Sequence, residues 1–145
     1  DGKITSLSNE ELQFGYRSSL LQHKRKGICV EATFELVKAN RRDIASKMSQ
    51  HKNYRRLTQP LKQPCCGSVF RNPKPHSAGR LIEQAGLKGY RIGDAQISPL
   101  HANFIVNLGN ASARDVLSLI EHIQLTVKSK FGIELQPEVQ IVGEA

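Results

Sequence analysis

The sequence predicts an α+β fold with helices packed on a sheet, and three observations lead there. Residues 113–131 form a long amphipathic helical pattern, with Val116, Ile120, Ile123 and Val127 on one stripe. Short apolar runs at 69–70, 102–107 and 136–142 have the length and flanking turn residues of strands. From Ser68 onward these pieces alternate in the order strand, helix, strand, strand, helix, strand. That is a β-α-β-β-α-β unit of the split β-α-β kind, with two helices against a mixed or antiparallel sheet.

The chain of 145 residues is long enough for one domain, or one domain with part of another, to bury a core. Its 39% apolar and 23% charged content describes a soluble globular protein. There is no apolar run of membrane-spanning length and no signal-peptide pattern, and a cytoplasmic location is expected. The first residue is Asp1 rather than Met, which leaves room for an upstream segment.

Three cysteines, Cys29, Cys65 and Cys66, make no disulfide framework, and an adjacent pair lacks the spacing of a zinc site or a redox pair. Reduced thiols are the expectation, with Cys65 and Cys66 as structural small residues. The five histidines (23, 51, 76, 101 and 122) show no ligand spacing, so no metal is expected.

Taken in order, residues 1–10 read as a turn and a short polar segment. Phe14-Gly15-Tyr16-Arg17-Ser18-Ser19 reads as a shaped loop, and His23-Lys24-Arg25-Lys26-Gly27 as a basic turn. Ile28 to Val37 alternates apolar and polar residues and predicts a half-buried strand. Asn40 to Leu57 predicts a basic helix with a thin apolar side, Ile44 and Met48, followed by a connector over Gln59–Pro64.

Ser77 to Ala85 predicts a helix stopped by Gly86. Gly89, Gly93 and Asp94 are turn residues around a further extended piece. The helix at 113–131 starts at a near capping box, Ser112 with Asp115, and ends at Gly132. There is no internal repeat.

The net charge of +8 is concentrated between positions 38 and 62, where eight Lys and Arg face Asp43 alone. Such a field suits nucleic acid, an anionic surface or a nucleotide diphosphate. A nucleic-acid module is the alternative reading. It lacks stacking aromatics, since there is no Trp and the strands offer only Phe70 and Phe104.

The chemistry is best sought around Pro64-Cys65-Cys66-Gly67-Ser68-Val69-Phe70-Arg71-Asn72-Pro73. Prolines bracket it, Gly67 permits a tight turn, and Ser68 follows that turn on ordered backbone. Arg71 and Asn72 can grip an anionic, hydroxyl-rich ligand. Arg17 follows an aromatic-glycine turn and Glu138 lies on an alternating strand. A cation, a hydroxyl proton donor and a carboxyl group are the set needed to stabilise and protonate an enolate next to a carboxylate.

At these residues the sequence resembles the UDP-N-acetylenolpyruvoylglucosamine reductase (MurB) family, in its shorter form. Five ordered motifs carry the likeness. They are Phe14–Ser19, Gly67–Pro73, Ala78-Gly79-x-Leu81-Ile82-Glu83-x-Ala85-Gly86-Leu87-Lys88-Gly89, His101–Asn107, and Pro137–Gly143. The resemblance implies a flavoenzyme of peptidoglycan precursor synthesis. NADPH would reduce FAD, which would pass hydride to the enolpyruvyl group of a UDP-sugar substrate.

By motif, Ser68 would donate the proton, Arg17 and Glu138 would stabilise the enol, and Asn72 and, less directly, Arg56 would bind substrate. The resemblance also implies that residues 1–60 are the tail of an FAD-binding domain. Residues 61–133 would be the substrate domain, and 134–145 a returning strand that brings Glu138 to the site. The family's phosphate-binding region has no counterpart here: no Gly-x-Gly-x-x-Gly is present. FAD-contacting residues are therefore not assigned, and the missing N-terminal region is an expected partner. A stand-alone domain without catalysis is the third reading.

Overall fold

A computed structural model describes residues 2–24 and 27–143. The chain divides into two compact units, Asp1–Ala39 and Asn40–Ala145.

In the first unit, α1 spans Asn9–Leu12 and α2 spans Leu20–Lys24. Helix α1 is nucleated by a reciprocal cap. Glu11 N–H donates to Ser8 Oγ at 3.2 Å, and Ser8 N–H donates to the Glu11 carboxylate at 2.7 Å. Those bonds to the ionised form hold the Glu11 pKa below the usual carboxylate value.

The strand expected at 28–37 does not form: residues 27–39 carry no regular structure and are exposed throughout. The reason is hydrogen bonding. Alternation selects a face, but a strand needs a neighbour for its N–H and C=O groups, and the described residues of this unit offer none. Residues 25 and 26 of the expected basic turn lie outside the described residues.

The second unit opens with α3, Arg41–Thr58, which has no buried residue. Asn40 caps it, accepting from Arg42 N–H at 2.8 Å. Asp43 in the first turn and Arg55 and Arg56 in the last match the helix dipole.

The sheet follows: β1 (Cys65–Ser68), β2 (Arg91–Ile92), β3 (Ala95–Ile97) and β4 (Phe104–Asn107). All pairs are antiparallel and the spatial order is β1-β4-β3-β2. Helices α4 (Ala78–Gln84) and α5 (Ala113–Phe131) supply the helical layer. The capping box at Ser112 and Asp115 and the αL stop at Gly132 both form. Leu119, Ile120, Ile123 and Val127 are the buried residues of α5. They join Leu81 and Ile82 of α4, Ala95, Ile97 and Ile105 of the sheet, and Val69, Phe70 and Leu135 in one core.

Two details differ from the expected strand order. The piece around Gly93 is a complete hairpin, β2 and β3, with Ile92 opposite Ala95. The expected last strand, 136–142, contracts to a single bridge between Phe70 and Pro137. Pro137 is tolerated there because the ladder bonds run from its neighbours. Arg71 N–H donates to Gln136 C=O at 2.9 Å and Glu138 N–H to Val69 C=O at 2.8 Å.

The strand expected at Val69-Phe70 lies earlier, at 65–68. Register slips between Cys65 and Ser68, with Gly67 at φ +85° marking an irregularity of the bulge kind. Cys65 and Cys66 are exposed, not packed as structural residues. No helix among the described residues is long and apolar enough to cross a membrane.

Candidate functional site

Ser68 closes β1 opposite Phe104, so its side chain shares Phe104's side of the sheet. The hydroxyl is half-buried and bonds to no other described residue. Beyond it, Val69 and Phe70 are held on both edges. On one edge, Val69 N–H donates to Asn103 C=O at 2.9 Å. On the other, Val69 C=O accepts from Glu138 N–H. Glu138, also half-buried, therefore lies on the segment hydrogen-bonded to the residue after Ser68. That backbone hydrogen bond ties the Glu138 segment to the residue after Ser68 across a long stretch of sequence.

Asn72 is committed to structure through one atom. Its Oδ1 accepts from Ala78 N–H at 3.0 Å and caps α4, a task that Ser77, at the N-cap position, does not perform. Its Nδ2 bonds to no other described residue and can donate to a ligand. Arg56 sits exposed in the last turn of α3.

Arg17 belongs to the other compact unit. Gly15 and Ser18 exchange two backbone hydrogen bonds, at 3.0 and 3.2 Å, across a tight turn of which Arg17 is the third residue. Arg17 adopts φ +53°, and its guanidinium carbon lies 5.8 Å from the Tyr16 ring centroid. A non-glycine residue held left-handed carries backbone strain of about 1–2 kcal/mol.

A cleft of about 420 Å3 lies beside α4, lined by Ser77, Arg80, Lys88 and His101 among others. His101 stands edge-on to Phe104 with ring centroids 4.8 Å apart, and its Nδ1 accepts from Asn103 N–H at 3.2 Å. Burial pushes the His101 pKa below its ordinary value; a hydrogen bond to its own backbone offsets part of this, Lys88 adds to the lowering and Glu83 opposes it. A β-carbon at Gly79 would come within 3.2 Å of the His101 ring, so glycine there admits the imidazole against α4. A second cleft, about 340 Å3, lies where α5 ends, beside the Lys128–Glu134 ion pair at 2.6 Å. Among the described residues, no group of three His, Cys, Asp or Glu side chains is placed to hold a metal ion.

Asn103 is the residue that sequence reasoning passed over, as part of an apolar strand. Its signal was there: an amide at the head of Phe104-Ile105-Val106, where a purely structural strand would carry another apolar side chain.

Comparison with known proteins adds the family. The profile described as "UDP-N-acetylenolpyruvoylglucosamine reductase, C-terminal domain" matches residues 59–142. The UDP-N-acetylenolpyruvoylglucosamine reductase of Anoxybacillus flavithermus is 58% identical over 143 residues, covering 99% of this chain and 47% of that protein. A protein of the same name from Bacillus licheniformis is 53% identical over 144 residues, with 99% and 78% covered. The crystal structure of UDP-N-acetylenolpyruvylglucosamine reductase (MurB) from Thermus caldophilus superposes with a TM-score of 0.73 at 43% identity, covering 89% of this chain and 46% of that one. The chain thus spans about half the length of the first of these relatives. With a domain-length profile match and relatives of this identity, the chain belongs to the UDP-N-acetylenolpyruvoylglucosamine reductase family.

Proposed function

We propose that this chain is the C-terminal portion of a flavin-dependent reductase. The complete enzyme would convert UDP-N-acetylenolpyruvoylglucosamine to UDP-N-acetylmuramate in the cytoplasm, for peptidoglycan synthesis. The observation that carries the proposal is the near-complete coverage of this chain by reductases of that name, at more than half of positions identical. The pairing that puts Glu138 beside the Ser68 segment supports it from the geometry.

Among the described residues, neither of the two clefts is lined by a glycine-rich phosphate loop, and we assign the flavin's phosphate contacts to the part of the enzyme that this chain does not span. When bound, the flavin supplies hydride chemistry to the enolpyruvyl group.

This chain's own part is the other half of the addition. The Ser68 hydroxyl gives its proton to the substrate α-carbon, so that a hydride and a proton together saturate the double bond. Arg17 and Glu138 stabilise the enol intermediate before that proton arrives. A serine serves as acid here because the carbanionic intermediate is strongly basic and the hydroxyl is prepositioned. Asn72 Nδ2 and Arg56 bind the substrate, and the positive face of α3 attracts its diphosphate.

In this reading, residues 1–60 complete the FAD-binding domain, 61–133 bind substrate, and 134–145 return with Glu138. The alternative, a basic nucleic-acid module, has only the charge of α3 in its favour.

The test is Ser68→Ala in the full-length enzyme. Flavin reduction by NADPH should stay at its original rate, and oxidation of the reduced enzyme by substrate should slow by about 100-fold or more. Unaltered rates for both half-reactions would remove Ser68 from its role.

A further inference from the structure

We propose that Asn103 is a positioning residue, which sets where Ser68 sits relative to the Glu138 segment. The inference rests on the reading of Ser68 and Glu138 given above, and it concerns a side chain that the motif assignment leaves without a task.

Asn103 and Ser98 are the buried polar residues among the described residues. A buried amide needs partners for both its donor and its acceptor. Asn103 finds them on a single residue. Phe70 N–H donates to Oδ1 at 2.9 Å, and Nδ2 donates to Phe70 C=O at 2.8 Å. The side chain therefore reproduces the two-bond pattern by which one strand residue pairs with another. The Asn103 carbonyl adds a third bond, accepting from Val69 N–H.

This substitution of side chain for backbone is needed at that point. Up to Ser68, β1 is paired by β4. Past Ser68 the partner chain turns away: Phe104 N–H donates to His101 C=O at 3.0 Å, and Asn103 N–H is taken by His101 Nδ1. No strand is left to pair with Phe70 on that edge, and the amide takes its place.

The opposite edge of the same residues is bonded to Gln136 and Glu138. Residues 69–71 are thus suspended between Asn103 and the Glu138 segment, with Ser68 immediately before them. Removal of the amide leaves the N–H and C=O of Phe70, which is 1% exposed, without partners on that edge. The segment must then shift to recover hydrogen bonds. Such a shift moves the Ser68 hydroxyl, and proton delivery is sensitive to displacements of an ångström.

The experiment uses the full-length enzyme with Asn103→Leu, Asn103→Asp, Ser68→Ala and, as a comparator, Leu119→Ala. Leu119 is fully buried in the same core but makes no hydrogen bond to residues 69–71. The expected result for Asn103→Leu is a substrate half-reaction slowed by about 10- to 100-fold. The NADPH half-reaction and the substrate KM should be unchanged, and amide hydrogen exchange should be faster at Val69 and Phe70.

In Asn103→Asp, the ionised carboxylate accepts from Phe70 N–H but cannot donate to Phe70 C=O. The protonated acid does both. Its substrate half-reaction should therefore recover as pH falls, relative to the wild-type profile over the same range, which controls for the neighbouring His101. If Asn103→Leu does not fold, this pH recovery decides the matter.

Unchanged substrate half-reactions in the Asn103 variants, with faster exchange at Phe70, would overturn the inference and leave Asn103 a stabilising residue only. So would an equal slowing in Leu119→Ala at matched stability. The outcome for Ser68→Ala separates the two levels. If it too leaves the substrate step unaltered, the underlying reading of the site has failed, rather than the role of Asn103.

Discussion

Gly67→Ala isolates the contribution of the backbone that delivers Ser68. Gly67 has φ +85°, and a β-carbon built there meets nothing within 4 Å. Steric collision with neighbours is therefore absent, and the only penalty is the left-handed conformation itself, about 1–2 kcal/mol for an L residue. Alanine also lowers the entropy of the unfolded chain, which offsets about 0.4–1 kcal/mol. The net expectation is a loss of about 1 kcal/mol in urea unfolding, from the difference of those terms.

Gly132, the C-terminal stop of α5, has φ +69° and equally open surroundings. Gly132→Ala should lose a similar amount of stability. The two variants should part in activity. In Gly67→Ala the strained backbone relaxes by altering the irregular register between Cys65 and Ser68, and a slip of one residue turns a side chain to the other face of the sheet. The substrate half-reaction of the full-length enzyme should therefore fall by about tenfold or more in Gly67→Ala, a misplacement effect, and be unchanged in Gly132→Ala. A Gly67→Ala enzyme of wild-type stability and rate would refute the claim that this turn presents the serine.

Other expectations concern stability and titration. Ser112→Ala removes one half of the α5 capping box, in which Asp115 N–H donates to Ser112 Oγ at 3.1 Å, and should cost about 1 kcal/mol in urea unfolding. The His101 pKa is lowered in the folded state, so between that lowered value and the ordinary value near 6.5 the unfolded chain binds more protons. Stability should accordingly fall as pH drops from about 6.5 towards the folded value, and His101→Gln should flatten that part of the profile, read by urea unfolding across about pH 4.5–7.5. Burial raises the Cys66 thiol pKa although the residue is exposed overall. Alkylation followed by peptide mass spectrometry should show Cys66 reacting more slowly than a free thiol of ordinary pKa at about pH 8, with the gap closing as pH rises.

Much of the molecule was legible in local sequence. Helix α5 needed only its apolar stripe, its Ser112–Asp115 cap and Gly132. Helix α3 needed only Asn40 and the connector prolines. Each of those signals acts within a few residues, so no distant partner is required to interpret it. The turn that carries Arg17 was likewise visible in Phe14-Gly15-Tyr16. The positive φ at Arg17 itself was not, because non-glycine residues rarely adopt it.

The strands were read less well, for a common reason. The alternation at Ile28–Val37 and at 136–142 states which side chains could share a face, but it says nothing of whether a neighbouring strand exists. One stretch remains unpaired and the other keeps a single bridge. Asn103 shows the same limit from the other side: its amide replaces a strand, and only three-dimensional pairing reveals which strand is missing.

By itself, the sequence determined helices α3, α4 and α5 and the capping box and glycine stop of α5, because residue chemistry and short-range geometry suffice for these. Helices α1 and α2, by contrast, form in stretches read as a polar segment, a loop and a basic turn. Only the tertiary structure decided that the Ser68 segment lies between Asn103 and Glu138. That arrangement is set by long-range backbone hydrogen bonds, whose donors and acceptors are alike at nearly every residue and so leave no mark in the order of side chains.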